Sequence, residues 1–420
     1  MAAPPALARM QNLTALVASY LRPWQRHGVS QALVDEAHLR WADYRDRDWG
    51  KFVPLGRANN RLLRVNILAG RLHYYTCTSE RASPKRYARE RIALELLQAA
   101  LKAHAPLPDV DLVLSISDRP TVPRALSGST PPLVFAYART GRHLSVPFPP
   151  VTFAPGHWAS LHRQLGSYPL LERRKPQVLW RGSCNSLCDG RQCTAQHDAH
   201  LLDRRALLVA GARCPALADV GITKRHKHCG GFAPKEAVAM RDHAAYAYLA
   251  HVDGNGFSGR LDELLTLGGV LLKQDSPFEA FYYPLLTRGV HYSPLRRDLS
   301  DLCATADALR ADPRRAAALA AAAAGFVRDV LAPDAVLAYV AALLRGYAAL
   351  QRFTPRLHPR AVPWVPAEAT LEARAGPSKG RRPPWRAGSR AAGGCSTRLC
   401  CRRHPRACTN ASASTQRLQL

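Results

Sequence analysis

A run of apolar residues long enough to cross a membrane is missing from this sequence of 420 residues. A spanning helix needs roughly 20 such residues. The closest candidate, the alanine-rich segment 316–327, is followed by Arg328, Asp329, Pro333 and Asp334. We interpret it as a helix of high intrinsic propensity in a globular protein. Internal repeats with a period of about 20 to 50 residues are missing too, which argues against a repeat architecture.

Acidic residues are scarce, since 31 Asp and Glu face 59 Lys and Arg, and the net charge is +28 at pH 7. Residues 355–420 hold 13 of the basic residues, two Glu and four cysteines. Because this region is rich in Pro, Gly and Ser and has no periodicity, we predict a basic disordered tail over residues 354–420. A basic helix with interleaved aromatic residues is missing, and so is an RNA-recognition motif, so we expect no nucleic-acid partner.

The regular paired spacing of a zinc finger is missing from the cysteine-rich segment 184–229. That segment holds Cys184, Cys188, Cys193, Cys214 and Cys229, interleaved with His197, His200, His226 and His228. Zinc, disulfide bonds and free thiols all stay open for these residue types.

A clean signal-peptide cleavage site is missing from the N-terminal region as well. Residues 13–21 form only a short apolar patch behind Arg9. Its spacing predicts an amphipathic helix whose apolar face carries Leu13, Leu16, Val17, Tyr20 and Leu21.

The most informative segment that is present spans residues 246–295, and we interpret it as strand, glycine loop, helix and strand. Its apolar run ends at Val252, and the loop contains Gly254, Gly256 and Gly259. Such a loop aims backbone N–H groups and a helix N-terminus at one point, which suits an anion. Arg260 follows at once and adds a planar donor fork suited to phosphate.

Two upstream strands deliver polar residues in a similar way. The strand predicted at residues 110–117 leads to Asp118, and the strand predicted at 177–180 leads to Arg181, Gly182 and Ser183. Ligands of open α/β sheets gather at the carboxyl ends of the strands. Asp109 and Asp111 spell Asp-x-Asp but stand at the entry of their strand, so we interpret them as a solvated strand start rather than a metal site.

These motifs resemble those of glycosyltransferase family 90, which contains capsule-associated xylosyltransferases and Rumi-type protein O-glucosyltransferases. The family shows Asp-Gly-Asn-Gly-aromatic-Ser-Gly-Arg-Leu, then Phe-Tyr, His-Tyr-x-Pro-Leu and Asp-Leu-Ser-Asp-Leu. These elements stand here at residues 253–261, 281–283, 291–295 and 298–302. The family's Asp-x-Pro and aromatic-Arg-Gly-Ser motifs fall on residues 118–120 and 180–183.

The resemblance implies an α/β fold of the GT-B type, with two Rossmann-like domains facing across a cleft. It also implies inverting transfer of glucose or xylose from a UDP-sugar to a hydroxyl of a protein or glycan. Members of the family work in the lumen of the endoplasmic reticulum or Golgi, where oxidising conditions favour disulfide bonds. A targeting segment is then expected, either an N-terminal membrane anchor that this chain lacks or one that we do not recognise.

The expected chemistry assigns roles to individual residues. Asp118 is our candidate base, because a carboxylate at a strand end can take the proton of the acceptor hydroxyl. Arg181 and Arg260 are expected to hold the diphosphate, and Glu279 the ribose hydroxyls, since its two oxygens match the paired donors of a cis-diol. Further donor contacts are expected from Gly182, Ser183, Asn255, Gly256, Phe257, Ser258 and Gly259. Because the arginines supply positive charge, we expect no metal ion or other cofactor.

The domain organisation follows from length and from the order of predicted elements. We expect an N-terminal Rossmann-like domain over residues 1–155 with the acceptor side and the candidate base, then a C-terminal nucleotide-sugar-binding domain over 156–353. The first contains a hairpin at 62–68 and 72–75, a helix at 87–103 and strands at 110–117 and 133–138. The second contains helices near 204–211 and 236–250, and both are expected to hold parallel sheets.

Two alternative functions stay open. The loop also satisfies G-x-G-x-x-G, and Asp275 lies near the offset of a ribose-binding acid, as in an NAD-dependent oxidoreductase. The other alternative is a basic binding protein without catalytic activity, in which Asp118 would have no role.

Overall fold

The computed structural model describes residues 5–40, 62–76, 84–184 and 204–365, except positions 119, 123, 125–129, 226–228, 230 and 255. Within these residues the chain forms two β-sheets with helices packed around them. The chain is therefore an α/β protein, as the predicted alternation of strands and helices indicated.

The first sheet is built mainly from the N-terminal half of the chain. Its strands are β1 (Leu62–Leu68), β2 (Arg71–Thr76), β3 (Val110–Ser115), β4 (Phe135–Ala136), β5 (Val146–Pro147) and β11 (Val362–Pro363). They lie in the order β11-β2-β1-β3-β4-β5. β3, β4 and β5 run parallel, whereas β1 pairs antiparallel with β2 and β3, and β11 pairs antiparallel with β2.

The antiparallel part of this sheet begins with the predicted hairpin, which is confirmed. Ala69 and Gly70 have φ values of 47° and 72°, the left-handed geometry of the tight turns that match the twist of two antiparallel strands. The prediction of a parallel sheet in this half therefore holds only for β3 to β5.

The second sheet is built from the C-terminal half, and all of its pairings are parallel. Its strands are β6 (Lys175–Gly182), β7 (Ala218–Ile222), β8 (Tyr246–His251), β9 (Val270–Gln274) and β10 (Ser293–Leu295), in the order β10-β9-β8-β6-β7. The strand predicted at the start of the segment 246–295 is confirmed as β8, whereas the helix predicted near residues 236–250 is reduced to a short 3-10 helix at Met240–Ala245. Every residue of β8 is buried, and such a strand lacks the alternation that would distinguish it from a helix.

Nine α-helices lie in the described part of the chain. They are α1 (Pro5–Leu21), α2 (Gln31–Arg40), α3 (Pro84–His104), α4 (Pro155–Arg163), α5 (Arg204–Ala212), α6 (Arg260–Leu264), α7 (Leu302–Ala311), α8 (Pro313–Asp329) and α9 (Pro333–Leu350). α1 buries Leu13, Val17, Tyr20 and Leu21 and packs against α9, which confirms the predicted amphipathic helix.

Our prediction that no apolar run could span a membrane overlooked α9, which is long and apolar enough to do so by length and composition alone. In the fold it packs against α1, α3 and α4, and its tyrosines Tyr339 and Tyr347 are fully buried. α9 is therefore a central core helix, and it joins the first half of the molecule although it follows the second sheet in sequence.

After α9 the chain returns to the first sheet. The side chain of Gln351 accepts a hydrogen bond from the Asp111 N–H (2.9 Å) and donates one to the Asp109 carbonyl (3.0 Å). Trp364 donates its backbone N–H to the carbonyl of Leu72 (2.8 Å), beside the β11–β2 pairing. Residues 354–365, which we assigned to the disordered tail, thus run along the sheet, and residues 366–420 lie outside the described part.

Two disulfide bonds brace the second half. Cys184, just after β6, is bonded to Cys229, and Cys214, just after α5, is bonded to Cys303 on α7. Both pairs have Cα atoms 5.9 Å apart. Of the alternatives left open by the sequence, the structure thus has disulfide bonds at these four cysteines. Cys188, Cys193 and the four histidines of the segment lie outside the described residues.

Candidate active site

A cavity of about 370 Å³ lies between the two halves of the molecule, beyond the C-terminal ends of β3 and β8. Its first wall comes from the N-terminal half and carries Arg89, Asp118, Tyr137, Pro150, Val151 and Thr152. Its second wall comes from the C-terminal half and carries Arg204, Met240, Gly254, Gly256, Phe257, Ser258, Gly259, Arg260 and Glu263. The cavity thus collects most of the predicted glycine loop and the candidate base at one place.

Asp118 stands three residues beyond β3, and 41% of its side chain is exposed. The Arg89 guanidinium, from α3, lies 2.8 Å from one carboxylate oxygen and 3.0 Å from the other. Arg89 also donates to the carbonyl of Ile116 (3.0 Å). A carboxylate has about four lone-pair positions, so this ion pair leaves acceptor capacity on the exposed side of Asp118.

A direct hydrogen bond joins Asp118 to the glycine loop on the other wall. The backbone N–H of Phe257 donates to the Asp118 carbonyl at 3.0 Å. Beside it, the Gly254 N–H donates to the Gly256 carbonyl (3.2 Å), which closes the loop on itself. The Phe257 side chain is buried and packs as part of the core rather than standing free in the cavity. The loop and the candidate base are therefore held in a fixed relation by main-chain contacts.

Two arginines give the second wall its positive charge. Arg204, the first residue of α5, donates to the carbonyls of Asp253 (2.9 Å) and Ser183 (3.0 Å). Arg260, the first residue of α6, donates to the carbonyl of Arg181. Both guanidinium groups lie near the ring of Trp180, 5.5 Å and 5.8 Å from its centroid. These hydrogen bonds run to neutral carbonyls and do not neutralise the two guanidinium charges, although the carboxyl groups of Asp253 and Glu263 lie near enough to act on them.

Burial changes the titration of both arginines without removing their charge. Burial, together with the neighbouring charge of Arg260, lowers the pKa of Arg204 to about 10. Burial also lowers the pKa of Arg260, while nearby Glu263 raises it. Arg204 is still protonated at neutral pH, so the wall carries positive charge beside the glycine loop.

Arg181 lies elsewhere, although it follows the same strand. Its five N–H groups are directed to both carboxylate oxygens of Asp219 (2.8 Å each) and to the carbonyls of Trp180, Asp219 and Glu236. Hydrogen bonds from Arg181, Lys235 and Tyr246 hold the pKa of the Asp219 carboxyl below its ordinary value, against the effect of burial. The structure therefore places Arg181 outside the cavity lining, where it stabilises the β6–β7 edge instead of facing a diphosphate.

Gly182 and Ser183 act through the backbone in this structure. A Cβ atom at Gly182 would lie 2.7 Å from the Trp180 ring, so this glycine lets the indole pack closely under Arg260. Ser183 contributes the carbonyl that holds Arg204. Neither residue lines the cavity.

Glu279 also lies outside the cavity lining. Its carboxylate pairs with Arg139 at 2.6 Å, and the two residues exchange backbone hydrogen bonds of 2.8 Å and 2.9 Å. Arg139 in turn lies 4.4 Å from the centroid of the Tyr20 ring. The predicted ribose ligand thus joins the two halves of the molecule. Asn255, the remaining predicted donor contact, lies outside the described residues.

A layer of buried charge supports the glycine loop from behind. The Ser276 hydroxyl donates to the Asp253 carboxylate, and burial raises the pKa of Asp253. Asp262, in the first turn of α6, accepts a hydrogen bond from the Tyr282 hydroxyl (2.6 Å). Burial raises the pKa of Asp262 to about 7, although Tyr282 and Thr152 oppose that shift.

The Asp-x-Asp string is occupied by protein groups. Asp111 is buried and accepts from both the Nε and an Nη atom of Arg64, at 2.9 Å and 2.6 Å, so our interpretation of it as solvated is wrong. Asp109 accepts from the Ala69 N–H at the hairpin turn (2.7 Å). Asp275, the candidate ribose acid of a dinucleotide fold, is exposed after β9 and is not among the cavity residues.

Three charged residues of the cavity were not among the predicted site residues. Arg204 had a sequence signal, since it heads a predicted helix that follows the Arg181 strand. Arg89 and Glu263 have none, because they belong to helices whose sequence patterns give no reason to single them out.

Comparison with known proteins identifies the family. The family described as "Glycosyl transferase family 90" matches residues 54–382. Human Protein O-glucosyltransferase 1 is 26% identical over 255 residues, which cover 58% of this chain and 63% of the relative. Zebrafish Protein O-glucosyltransferase 2 is 26% identical over 280 residues, with 64% and 53% covered.

O-glucosyltransferase rumi of Drosophila pseudoobscura pseudoobscura is 28% identical over 207 residues, which cover 46% of this chain and 48% of the relative. The chain thus spans less than two thirds of the length of these curated relatives. The family match extends over most of the chain and includes every cavity residue named above. This chain therefore belongs to glycosyltransferase family 90.

Proposed function

We propose that the chain is an inverting glycosyltransferase that moves glucose or xylose from a UDP-sugar to a hydroxyl of a protein or glycan. The observation that carries this proposal is the meeting of an accessible carboxylate, Asp118, with a wall formed by the glycine loop and two arginines in one cavity. The names of the relatives, which specify O-glucosyl transfer to proteins, support glucose and a protein hydroxyl.

The chemistry requires a base and a stabilised leaving group. Asp118 takes the proton of the acceptor hydroxyl while the hydroxyl oxygen bonds to the anomeric carbon of the sugar. The bond from that carbon to the phosphate oxygen breaks, and UDP leaves with the electron pair. Arg204 and Arg260 face the negative charge that develops on the diphosphate and stabilise it without rearranging. One displacement of this kind inverts the configuration of the anomeric carbon.

The two arginines supply the positive charge that a metal ion would otherwise bring to the leaving group, so the proposal needs no divalent metal ion. The two sheets on either side of the cavity support a GT-B arrangement. Its N-terminal domain would carry the base and its C-terminal domain the donor site.

We place the enzyme in the lumen of the endoplasmic reticulum or Golgi. The two disulfide bonds support an oxidising compartment, in which such bonds form and persist. The oxidoreductase alternative gains no support, because Asp275 lies apart from the cavity residues.

The test is UDP release by purified protein from a panel of UDP-sugars in the presence of EDTA. The native chain is compared with Asp118→Asn and Arg260→Ala. Turnover on one donor, lost in both variants, is expected and names the sugar. Turnover that EDTA abolishes would contradict the metal-independent mechanism, and an absence of both UDP binding and turnover would contradict the transferase proposal.

A further inference from the structure

The contact between Arg89 and Asp118 is built more firmly than an ordinary surface ion pair. The Arg89 side chain is 25% exposed, and one Nη atom lies within 3.0 Å of both Asp118 oxygens. Its other Nη atom donates to the Ile116 carbonyl, at the end of the strand that delivers Asp118. The guanidinium therefore contacts both the Asp118 carboxylate and the backbone that leads to Asp118.

The helix that carries Arg89 is itself fixed against the sheet. The neighbouring residue Glu90 is buried and accepts a hydrogen bond from the Thr76 hydroxyl at the end of β2 (3.3 Å). Farther along, α3 packs against α9 in the core. Arg89 thus projects into the cavity from a rigid element, whereas Asp118 stands on a connection that has left its strand.

A half-exposed carboxylate on such a connection has several accessible rotamers, and only some direct an oxygen toward an acceptor hydroxyl. A guanidinium that contacts both oxygens through one Nη atom, while its other Nη atom is fixed on the Ile116 carbonyl, removes this freedom. Asp118 is already tied to the glycine loop through its carbonyl, so fixing the side chain as well places the base in register with the donor.

We propose that Arg89 is a positioning residue for transfer, which orients the Asp118 carboxylate and acts on the reaction only through it. This inference rests on the proposed function and deepens it. It assigns to the first wall a cation whose task is to align the base, distinct from the cations of the second wall that face the diphosphate.

The test measures UDP release from UDP-glucose and UDP-xylose with water as the acceptor, in a double-mutant cycle of Arg89→Gln and Asp118→Asn. We expect Arg89→Gln to lower kcat about 100-fold while the KM for the donor stays within about threefold, because orientation and not donor binding is lost. In the Asp118→Asn background the same change is expected to alter kcat by less than about twofold. Arg89→Lys keeps the charge without the fork and is expected to recover part of the rate.

Arg91→Gln is the matched control, because Arg91 lies on the same helix and pairs with Glu95 on the exposed face (2.9 Å). It is expected to leave kcat and KM unchanged. The inference would be overturned if Arg89→Gln lowered kcat equally in the native and the Asp118→Asn backgrounds, or if the single variant kept full activity. In both cases turnover by the native chain would still support the proposed function. If the native chain neither bound UDP nor turned over any UDP-sugar, the proposed function and this inference would both fail.

Discussion

The two walls of the cavity hold their charges in different ways. On the first wall Asp118 and Arg89 form a partly exposed ion pair, with 41% and 25% of their side chains exposed. On the second wall Arg204 is buried at the head of its helix, and Asp262 is buried beneath the loop. Exposed ion pairs add little to the free energy of unfolding, whereas buried charges are costly to leave without partners.

Substitutions on the two walls should therefore have different effects on turnover and on stability. A substitution on the first wall should change turnover and leave the fold alone, because water can replace the lost contacts. A substitution on the second wall should change the stability of the protein together with ligand binding, because the same hydrogen bonds serve both.

The largest effect is expected for Asp118→Asn on the first wall. The amide keeps the shape of the side chain but cannot accept a proton, so UDP release should fall about 1000-fold. The melting temperature should stay unchanged, since the lost ion pair is exposed. Turnover and thermal unfolding are measured on the same preparation, with Asp242→Asn as an exposed control whose side chain is 58% accessible. A large loss of stability would show that the first wall is structural too.

Asp262→Asn is expected to change how stability depends on pH. The pKa of Asp262 is about 7 in the folded chain, above the ordinary value of 3.8. Between these values the folded protein keeps a proton that the unfolded chain has lost, so the free energy of unfolding falls as pH rises, by at most about 4 kcal/mol. Below pH 3.8 the contribution is fully present, and above about pH 7 it is lost.

The asparagine variant should lack this decline, because its amide does not titrate and its oxygen can still accept from Tyr282. Urea unfolding at several pH values from 4 to 8 measures the slope. Asp307→Asn, whose side chain is 63% exposed in the native chain, is the control. An identical pH dependence in the native chain and Asp262→Asn would exclude this carboxyl as the cause.

Arg204→Ala should destabilise the protein by about 3 kcal/mol, because the carbonyls of Ser183 and Asp253 lose their charged donor in a buried place. UDP affinity should fall at least about tenfold, since a cation of the diphosphate wall is lost. Urea unfolding and calorimetric titration with UDP measure the two effects. Arg205→Ala is the control, because Arg205 is the exposed neighbour of Arg204, and it should change neither the stability nor the UDP affinity. Weaker UDP binding at unchanged stability would break the proposed contrast between the walls.

The smallest effect is expected for Gly182→Ala. The new methyl group would lie 2.7 Å from the buried Trp180 ring, and moving that ring should cost about 1 to 2 kcal/mol. Gly141→Ala is the control, because a Cβ atom there meets no atom within 4 Å. Thermal unfolding of both variants gives the comparison. Equal melting temperatures would mean that the support under Arg260 yields more easily than its packing indicates.

The sequence predicted those parts of the fold that have a local signal. The hairpin at β1 and β2, the helices α3 and α5, and the strand ends that carry Asp118 and Arg181 are all present where periodicity and turn residues placed them. β8 was partly mistaken for a helix, because a strand buried on both faces shows neither the period of a helix nor alternation.

The candidate site was predictable at its loop and not at its partners. Arg181 meets Asp219 because β6 and β7 pair in a register that places Asp219 near Arg181 on the neighbouring strand. Glu279 meets Arg139, which is 140 positions away. Such pairings depend on tertiary contacts between distant segments, and no local sequence pattern at Arg181 or Glu279 predicts them. Arg89 was missed for the same reason, because its contact with Asp118 depends on where the fold places α3.

The hydrogen bond from the Phe257 N–H to the Asp118 carbonyl crosses the gap between the two halves of the molecule. Any widening of that gap must break the bond or move the base with the loop. Hydrogen exchange of the Phe257 amide therefore reports on motion between the two halves, because this proton can exchange with solvent deuterium only while the bond is open. When reclosing is fast, its exchange rate gives the fraction of time for which this bond is open and the base can separate from the glycine loop.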